Sequence, residues 1–161
     1  MGFRFLIKGD GYDSMPFVNL MKIEDGYKFH SGIILSNTCD MAPENERLYS
    51  SSIIYAPIIE LKKYEETLLK NNIQEAAIKN HINAIRKQSI TSIFFLPCNT
   101  SIADSIVFLD RIMSIDNSFF SRKELINKRL FSLSDYGFYL LLFKLSVHFS
   151  RIQEKVNRGS I

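Results

Sequence analysis

The sequence predicts a single domain of the α+β class, and three observations lead to that prediction. Short segments rich in β-branched and aromatic residues, typical of strands, occur in both halves of the chain. A charged segment with helical spacing of its apolar residues, 60–88, separates them, and a long helical pattern occupies the end. With 161 residues, no internal repeat and no Gly/Ser-rich linker, the chain suits one hydrophobic core. We therefore expect residues 1–161 to form one domain.

The composition is that of a globular protein, with 46% hydrophobic and 23% charged residues. No apolar run approaches the roughly 20 residues that cross a bilayer, since the longest, residues 138–143, stops at Lys144. The start of the chain turns polar by residue 8, so it predicts no signal peptide. The two cysteines, Cys39 and Cys98, form no C-x-x-C pair and predict no disulfide framework. We expect a cytoplasmic protein without a membrane segment.

The first half of the chain contains three predicted strands. Residues 3–7 have strand composition, and the segment after them, 8–16, contains Gly, Asp and Pro and is predicted to be a turn-rich loop. Residues 27–37 and 51–59 are β-branched and aromatic, and a polar loop joins them. Pro57 lacks the amide hydrogen that a ladder bond requires, so we expect pairing to be limited there.

The middle of the chain, residues 60–88, changes to a helical pattern. Asn71 and Asn72 interrupt it, which predicts either two helices or one kinked helix. Strand composition returns at 89–97 and 104–116, with a loop of hairpin length between them. Four strands are therefore expected in addition to the N-terminal one.

The clearest element is a long helix at about 134–157. Ser134 can cap its N-terminus, and Asp135 suits the positive end of the helix dipole. The predicted apolar face consists of Phe138, Leu141, Leu142, Leu145, Phe149, Ile152 and Val156. One interpretation of this helix is a surface for dimerisation or for a partner protein.

Charge is distributed unevenly along the chain, whose net charge is +3. Residues 1–116 carry 12 Lys and Arg against 14 Asp and Glu, whereas residues 117–161 carry 8 against 3. The basic residues on the middle helices alternate with glutamates, as on an ordinary solvated face. Lys128 and Arg129 lack such compensation, so they are the better candidates for contacting phosphates.

Four short blocks carry a family resemblance: GIILSN (32–37), IYAPII (54–59), DSIVFLDRIMSID (104–116) and RLFSLSD (129–135). In this order they resemble the PemK/MazF-type toxins of plasmid-maintenance and toxin–antitoxin systems. The resemblance implies a small, strongly bent antiparallel β-barrel of the Src-homology-3 type, here with a helical insertion at 60–88 and a long C-terminal helix. It also implies RNA cleavage without a metal ion or other cofactor, a homodimer, and an antitoxin partner.

The chain departs from the toxin pattern at the positions where the family does its chemistry. Counted along the matching blocks, the catalytic Arg falls on His30, the Pro after it on Ser31, and the catalytic Thr on Ile59. Metal-free RNA cleavage needs a base, an acid and a cation, and an isoleucine supplies none of these. The insertion at 60–88 also stands where a short loop near the RNA site is expected.

Two groups of residues are candidates for a catalytic site. His30 stands where a predicted strand begins, and its imidazole can act as acid or base near neutral pH, although a partly buried structural histidine is the alternative. The loop after that strand offers Ser36, Asn37, Thr38, Cys39 and Asp40, which a strand end would hold firmly yet leave accessible. Cys39 is either a nucleophile or a small buried apolar residue.

Two hypotheses for the function stay open. In the first, the protein is an endoribonuclease whose catalytic residues include His30 and Asp40, with a basic residue such as Arg47 or Arg129. In the second, a non-catalytic module binds single-stranded nucleic acid or a protein through Ser36, Asn37, Thr38, Arg47, Lys128 and Arg129. No metal site is predicted: Asp40, Glu44 and Glu46 match no known cage, and the cysteines lack a ligand pair at close spacing.

Overall fold

The computed structural model describes residues 8–18, 27–41, 51–119 and 127–150. These contain seven strands: β1 (Asp10–Val18), β2 (Tyr27–Ile34), β3 (Ser52–Glu60), β4 (Ile93–Leu96), β5 (Ser105–Phe108), β6 (Met113–Asp116) and β7 (Arg129–Ser132). They also contain four α-helices: α1 (Thr38–Met41), α2 (Leu61–Lys70), α3 (Glu75–Arg86) and α4 (Asp135–Ser150). The α+β class is therefore confirmed. None of these helices is long and apolar enough to span a bilayer.

The strands form one curled antiparallel sheet that closes about half of a barrel. Its order is β4-β5-β3-β2-β1-β7, and β6 pairs with β3 beside β5. The central strand β3 thus contacts β2 along one edge and both β5 and β6 along the other. Strand β3 is therefore the one that β2, β5 and β6 share.

The pairing along one edge of β3 is interrupted at Pro57. Leu35 donates its amide hydrogen to the Ile54 carbonyl, so even-numbered residues of β3 direct their backbone groups towards β2. The nitrogen of Pro57 therefore faces the opposite edge, where it has no hydrogen to donate. On that edge the pairing breaks: Tyr55 lies opposite Met113 and Ile58 opposite Val107, so five residues of the partner segment oppose two of β3. The segment predicted as one strand, 104–116, is consequently two strands.

The core consists of three groups of buried residues around this sheet. One fills the curl of β1, β2 and β3 and includes Tyr12, Met15, Phe17, Ile34, Met41, Ile53 and Tyr55. A second joins α4 to the sheet through Leu141, which packs with Phe94, Leu96, Val107 and Leu109 among others. The third places α2 and α3 against Ile93, Ile106 and Phe108.

Several predicted elements need correction. The segment 8–16 is not a loop but most of β1, in which Ser14 has a φ of 54° and the register with β2 shifts between Tyr12 and Met15. The residues that predicted a turn instead allow a β-bulge between Tyr12 and Met15. Strand β7 is a further element that the sequence patterns do not predict. The predicted strand at 3–7 lies outside the described residues.

The helical predictions agree better with the structure. Two helices occupy the middle segment, and Asn72, with a φ of 58°, lies in the turn between them. The last helix begins at Asp135, and the Ser134 hydroxyl accepts the amide hydrogen of Gly137 at 3.2 Å, which confirms the cap. Its predicted end at 157 lies outside the described residues.

Candidate functional site

An open groove of about 490 Å³ lies where β2 and β3 separate. The two strands pair only from Gly32 opposite Pro57 to Ile34 opposite Tyr55, because β2 then follows β1 whereas β3 continues to β5. The polar residues that line the groove are Asp13, His30, Ser31, Glu60, Lys63 and Ser105, and the apolar ones are Phe29, Pro57, Ile58, Ile59, Ile102 and Ala103. The divergence of two strands from a common pair therefore creates this groove.

The positions that the toxin resemblance assigns to chemistry meet in this groove. His30 lies two residues beyond the last paired residue of β2, and Ile59 lies two residues beyond its partner on β3. The two side chains thus occupy corresponding positions on the two walls, and Ser31 lies beside His30. His30 is exposed, and the centroid of its ring lies 6.2 Å from that of Phe17. Its imidazole is accessible for proton transfer.

Asp13 enters the groove because of the bulge in β1. Its carboxylate accepts the Ser14 amide hydrogen at 2.7 Å and the Ser31 hydroxyl at 3.3 Å. A bulge commonly redirects a side chain in this way. Asp13 therefore joins the bulge to β2 at one end of the groove.

Glu60 and Lys63 supply the other charges. They lie at the junction of β3 and α2, with Lys63 Nζ 3.7 Å from Glu60 Oε2. The Lys63 side chain is 72% exposed, so this ion pair is weak and the ammonium can reorient towards an anion in the groove.

The third wall, residues 102–105, is fixed by Asp104. Its Oδ1 accepts the Cys98 amide hydrogen at 2.9 Å, and its Oδ2 accepts a hydrogen bond from Arg86 at 2.5 Å. The Cys98 amide, followed by Arg86, holds the pKa of Asp104 below its usual value. The Asp104 carbonyl also accepts the Leu61 amide hydrogen at 2.8 Å, which ties this loop to the start of α2.

The predicted loop site lies elsewhere. Ser36 is buried, and its Oγ accepts the Ile54 amide hydrogen at 2.6 Å, so it has a structural role between β2 and β3. Asn37 and Thr38 accept hydrogen bonds from the side chain and the backbone of Lys8. Cys39 is exposed, which excludes the interpretation as a buried apolar residue. None of these four lines the groove.

The remaining predicted residues either lie outside the described residues or have surroundings other than the groove. The Asp40 side chain, Glu44, Glu46 and Arg47 lie outside what is described. Lys128 is exposed beside the bulge, where its carbonyl accepts the Asp13 amide hydrogen at 2.9 Å. Among the described residues, no group of three His, Cys, Asp or Glu side chains is arranged to hold a metal ion.

Arg129, which is itself partly exposed, pairs with a buried carboxylate rather than lining the groove. Its Nη1 lies 3.4 Å from Oδ2 of Asp10, a residue only 1% exposed, and the Tyr12 hydroxyl donates to the same oxygen at 3.1 Å. Burial, reinforced by the Asp10 charge, raises the pKa of Tyr12 well above its usual value. The second oxygen of Asp10, Oδ1, has no hydrogen-bond partner in the described structure. The predicted phosphate ligand Arg129 is thus engaged in pairing β7 with β1.

The sequence patterns favoured other residues over Asp13, Glu60 and Lys63. Asp13 falls in a segment predicted as a loop, and the two others follow the pattern of a solvated helix. Only the pairing register of distant strands brings Asp13 into one groove with Glu60 and Lys63.

No family model matches the chain, and no curated protein matches it either. The toxin resemblance stays a prediction that rests on the four sequence blocks.

Proposed function

We propose that this protein is a divergent toxin-like endoribonuclease of a bacterial toxin–antitoxin or defence system, which cleaves single-stranded RNA in the groove, in the cytoplasm and without a metal ion. One observation supports this most: the positions that correspond to the toxins' catalytic pair, His30 and Ile59, line one groove together with Glu60 and Lys63. Glu60 and Lys63, close to Ile59 in the sequence, offer the carboxylate and the cation that an isoleucine cannot supply.

The proposed reaction is attack of a ribose 2'-oxygen on the adjacent phosphorus. The P–O2' bond forms, the P–O5' bond breaks, and the products are a 2',3'-cyclic phosphate and a free 5'-hydroxyl. The Glu60 carboxylate takes the proton from the 2'-hydroxyl, and the His30 imidazolium gives a proton to the departing 5'-oxygen. Lys63 stabilises the negative charge that develops on the phosphate oxygens.

A second candidate, a non-catalytic binding module, is favoured by the apolar lining. Phe29, which is 61% exposed, provides together with the partly exposed Ile59 and Ile102 a surface that a protein segment can cover. Among the described residues the β2–β3 ladder ends at Gly32, so an extended segment can pair with the edge of β2 that begins at Phe29. The partner in this case is an antitoxin-like protein.

Cleavage of labelled single-stranded RNA with EDTA present distinguishes the candidates. We expect wild type to cleave and to leave cyclic phosphate ends, and His30→Ala and Lys63→Ala each to lose activity by roughly 10²-fold or more. Lys62→Ala is the matched control, because Lys62 is exposed on the same helix but does not line the groove. Equal activity in all variants would indicate a contaminating nuclease.

Two other outcomes decide between the candidates. Wild type that binds RNA or a protein segment at the groove but never cleaves, and whose expression leaves growth unchanged, supports the binding module. Wild type that does neither removes both proposals for this groove.

A further inference from the structure

Phe29 is an exposed aromatic residue in the groove, beside two polar residues. It is 61% exposed, while Pro16, opposite it on β1, is buried. Side chains two residues apart on a strand point to the same side of the sheet, so the Phe29 ring and the Ser31 hydroxyl share one wall. Their Cα atoms are about 6.6 Å apart along an ordinary strand. This wall therefore combines a flat apolar ring with a polar group.

The Asp13 carboxylate is fixed beside Ser31 by the bulge in β1. The Asp13 amide donates to the Lys128 carbonyl at 2.9 Å, and Oδ1 of Asp13 accepts the Ser14 amide hydrogen and the Ser31 hydroxyl. Ser14 has a φ of 54°, a left-handed conformation that strains a residue other than glycine. Backbone strain of this kind occurs mostly where a chain positions a functional group. The bulge thus holds a carboxylate firmly at the groove.

Asp13 and Ser31 together present only hydrogen-bond acceptors to the groove. Both acceptor positions of Oδ1 are used, whereas Oδ2 accepts no hydrogen bond from the described residues. The Ser31 hydroxyl donates its one hydrogen to Asp13, so the Ser31 oxygen can only accept from a ligand. A ligand that meets this surface must therefore bring hydrogen-bond donors.

Guanine is the RNA base whose edge matches such a surface. Its Watson–Crick edge presents two adjacent donors, the N1–H and the N2 amino group. Adenine and cytosine present an acceptor beside their amino group, and uracil presents one N–H between two carbonyl oxygens. An acceptor of the base that faces the oxygens of Asp13 and Ser31 is desolvated without a hydrogen bond, which is unfavourable. Proteins usually read single-stranded RNA by stacking a base on an aromatic ring and bonding to its Watson–Crick edge.

We propose that the groove selects guanine in single-stranded RNA: the Phe29 ring stacks on the base, while Asp13 and Ser31 accept hydrogen bonds from its N1 and N2 groups. The groove volume of about 490 Å³ falls in the range of sites that hold one small molecule. This inference rests on the proposed RNA substrate and adds base specificity to it. The proposed reaction uses His30, Glu60 and Lys63, so Asp13 and Phe29 can be changed without removing a catalytic group.

Binding of oligonucleotides that cannot be cleaved measures base selection apart from catalysis. Short 2'-O-methyl oligonucleotides lack the attacking 2'-hydroxyl, and each carries one guanosine, inosine, adenosine or cytidine among uridines. Fluorescence anisotropy at one fixed salt concentration gives their affinities. We expect guanosine to bind roughly tenfold or more tightly than adenosine, cytidine or uridine. Inosine, which keeps N1–H but lacks the N2 amino group, should bind with intermediate affinity.

Asp13→Asn should abolish the preference for guanosine. The amide oxygen can keep the hydrogen bonds from Ser14 and Ser31, and the amide nitrogen then presents a donor where the base needs an acceptor. Urea unfolding checks that this variant is folded. If the variant does not fold, the comparison of bases on wild type still decides the question.

Phe29→Ala should weaken binding of every oligonucleotide roughly tenfold, because stacking depends little on the identity of the base. Phe149→Ala is the matched control. Phe149 is 68% exposed, so the predicted apolar face of α4 is wrong at this residue, and it does not line the groove. This variant should bind like wild type.

Equal affinity of wild type for all bases would overturn the proposal, as would a preference for guanosine that folded Asp13→Asn retains. Binding of an extended peptide but of no oligonucleotide would overturn it too and would assign Phe29 to a protein contact. Guanosine-selective binding without RNA cleavage would support base selection and contradict the proposed reaction. Cleavage that ignores the identity of the base would do the reverse.

Discussion

Gly32 lies so close to Met15 that a Cβ atom on the glycine would be 2.8 Å from the Met15 sulfur. The same atom would be 3.2 Å from Phe17 and 3.3 Å from the Ala56 carbonyl oxygen. Gly32 is also half of the last pair between β2 and β3, so the approach of three strands at the mouth of the groove depends on the absence of a side chain there.

Gly32→Ala should therefore destabilise the protein. Met15 is fully buried and the Ala56 oxygen belongs to the backbone, so neither moves away easily. We expect the free energy of unfolding to fall by about 1–3 kcal/mol, as for other overpacked sites. Urea unfolding measures this change. Gly137→Ala is the control: its Cβ would have only ordinary contacts from 3.4 Å, and alanine in a helix should stabilise by about 0.5–1 kcal/mol.

Ser36→Ala should lower the stability of the protein without changing activity or binding in the groove. It removes the acceptor for the Ile54 amide hydrogen in a mostly buried place, which typically costs about 1–2 kcal/mol. Urea unfolding should show this loss, while activity or binding in the groove stays at the wild-type level below the unfolding transition. Ser52→Ala, at an exposed position on β3, should change neither quantity. If well-folded Ser36→Ala lost activity or binding, the loop 36–40 would belong to the functional site.

Arg129→Met should destabilise the protein more than Lys128→Met. Without the guanidinium, the buried Asp10 carboxylate keeps, among the described residues, only the Tyr12 hydroxyl as a polar partner. Because Arg129 is itself partly exposed, we expect a loss of about 1–3 kcal/mol, less than for a fully buried pair. Thermal unfolding of both variants at neutral pH gives the comparison. Equal stabilities would show that the Asp10–Arg129 contact contributes little.

Lys144 should make stability depend on pH in the alkaline range. Burial lowers the pKa of Lys144 from 10.5 to about 8. Between these values the unfolded chain binds the proton that the folded chain has released, so this group's contribution to stability rises with pH across the interval and is constant below it. Chemical unfolding at several pH values, compared with Lys144→Met, isolates the effect, because all other lysines are common to both proteins. Parallel dependences of stability on pH in the two proteins would contradict this prediction.

Local patterns predicted the helices well. Helices α2 and α3 are amphipathic, α4 is a long apolar segment, and the interruptions and caps of these helices, such as Asn72 and Ser134, act within a few residues. Strand β1 was missed because its bulge uses the same Gly, Asp and Ser residues that mark turns. The split of 104–116 was missed because its cause, Pro57, belongs to a strand far away in the chain.

The groove could be predicted only in part, for the same reason. His30 and Ile59 were found through the blocks of the toxin resemblance, which fix positions along two strands. Asp13 and Lys63 reach the groove through a bulge and through a helix that starts directly after β3. Such placements depend on which strands pair and where they separate, and one sequence does not show this.

The outer edge of β4 is closed by side chains. A strand at the end of a sheet ordinarily presents unpaired backbone groups, to which strands of other molecules can add until the protein aggregates. Here the Gln88 side chain donates to the Phe95 carbonyl and accepts the Phe95 amide hydrogen, while the Lys144 ammonium donates to the Ile93 carbonyl. The Phe95 amide and carbonyl groups and the Ile93 carbonyl, which point away from β5, are thus hydrogen-bonded within the chain itself. Gln88 and Lys144 therefore protect this edge of the sheet against fibre-like growth.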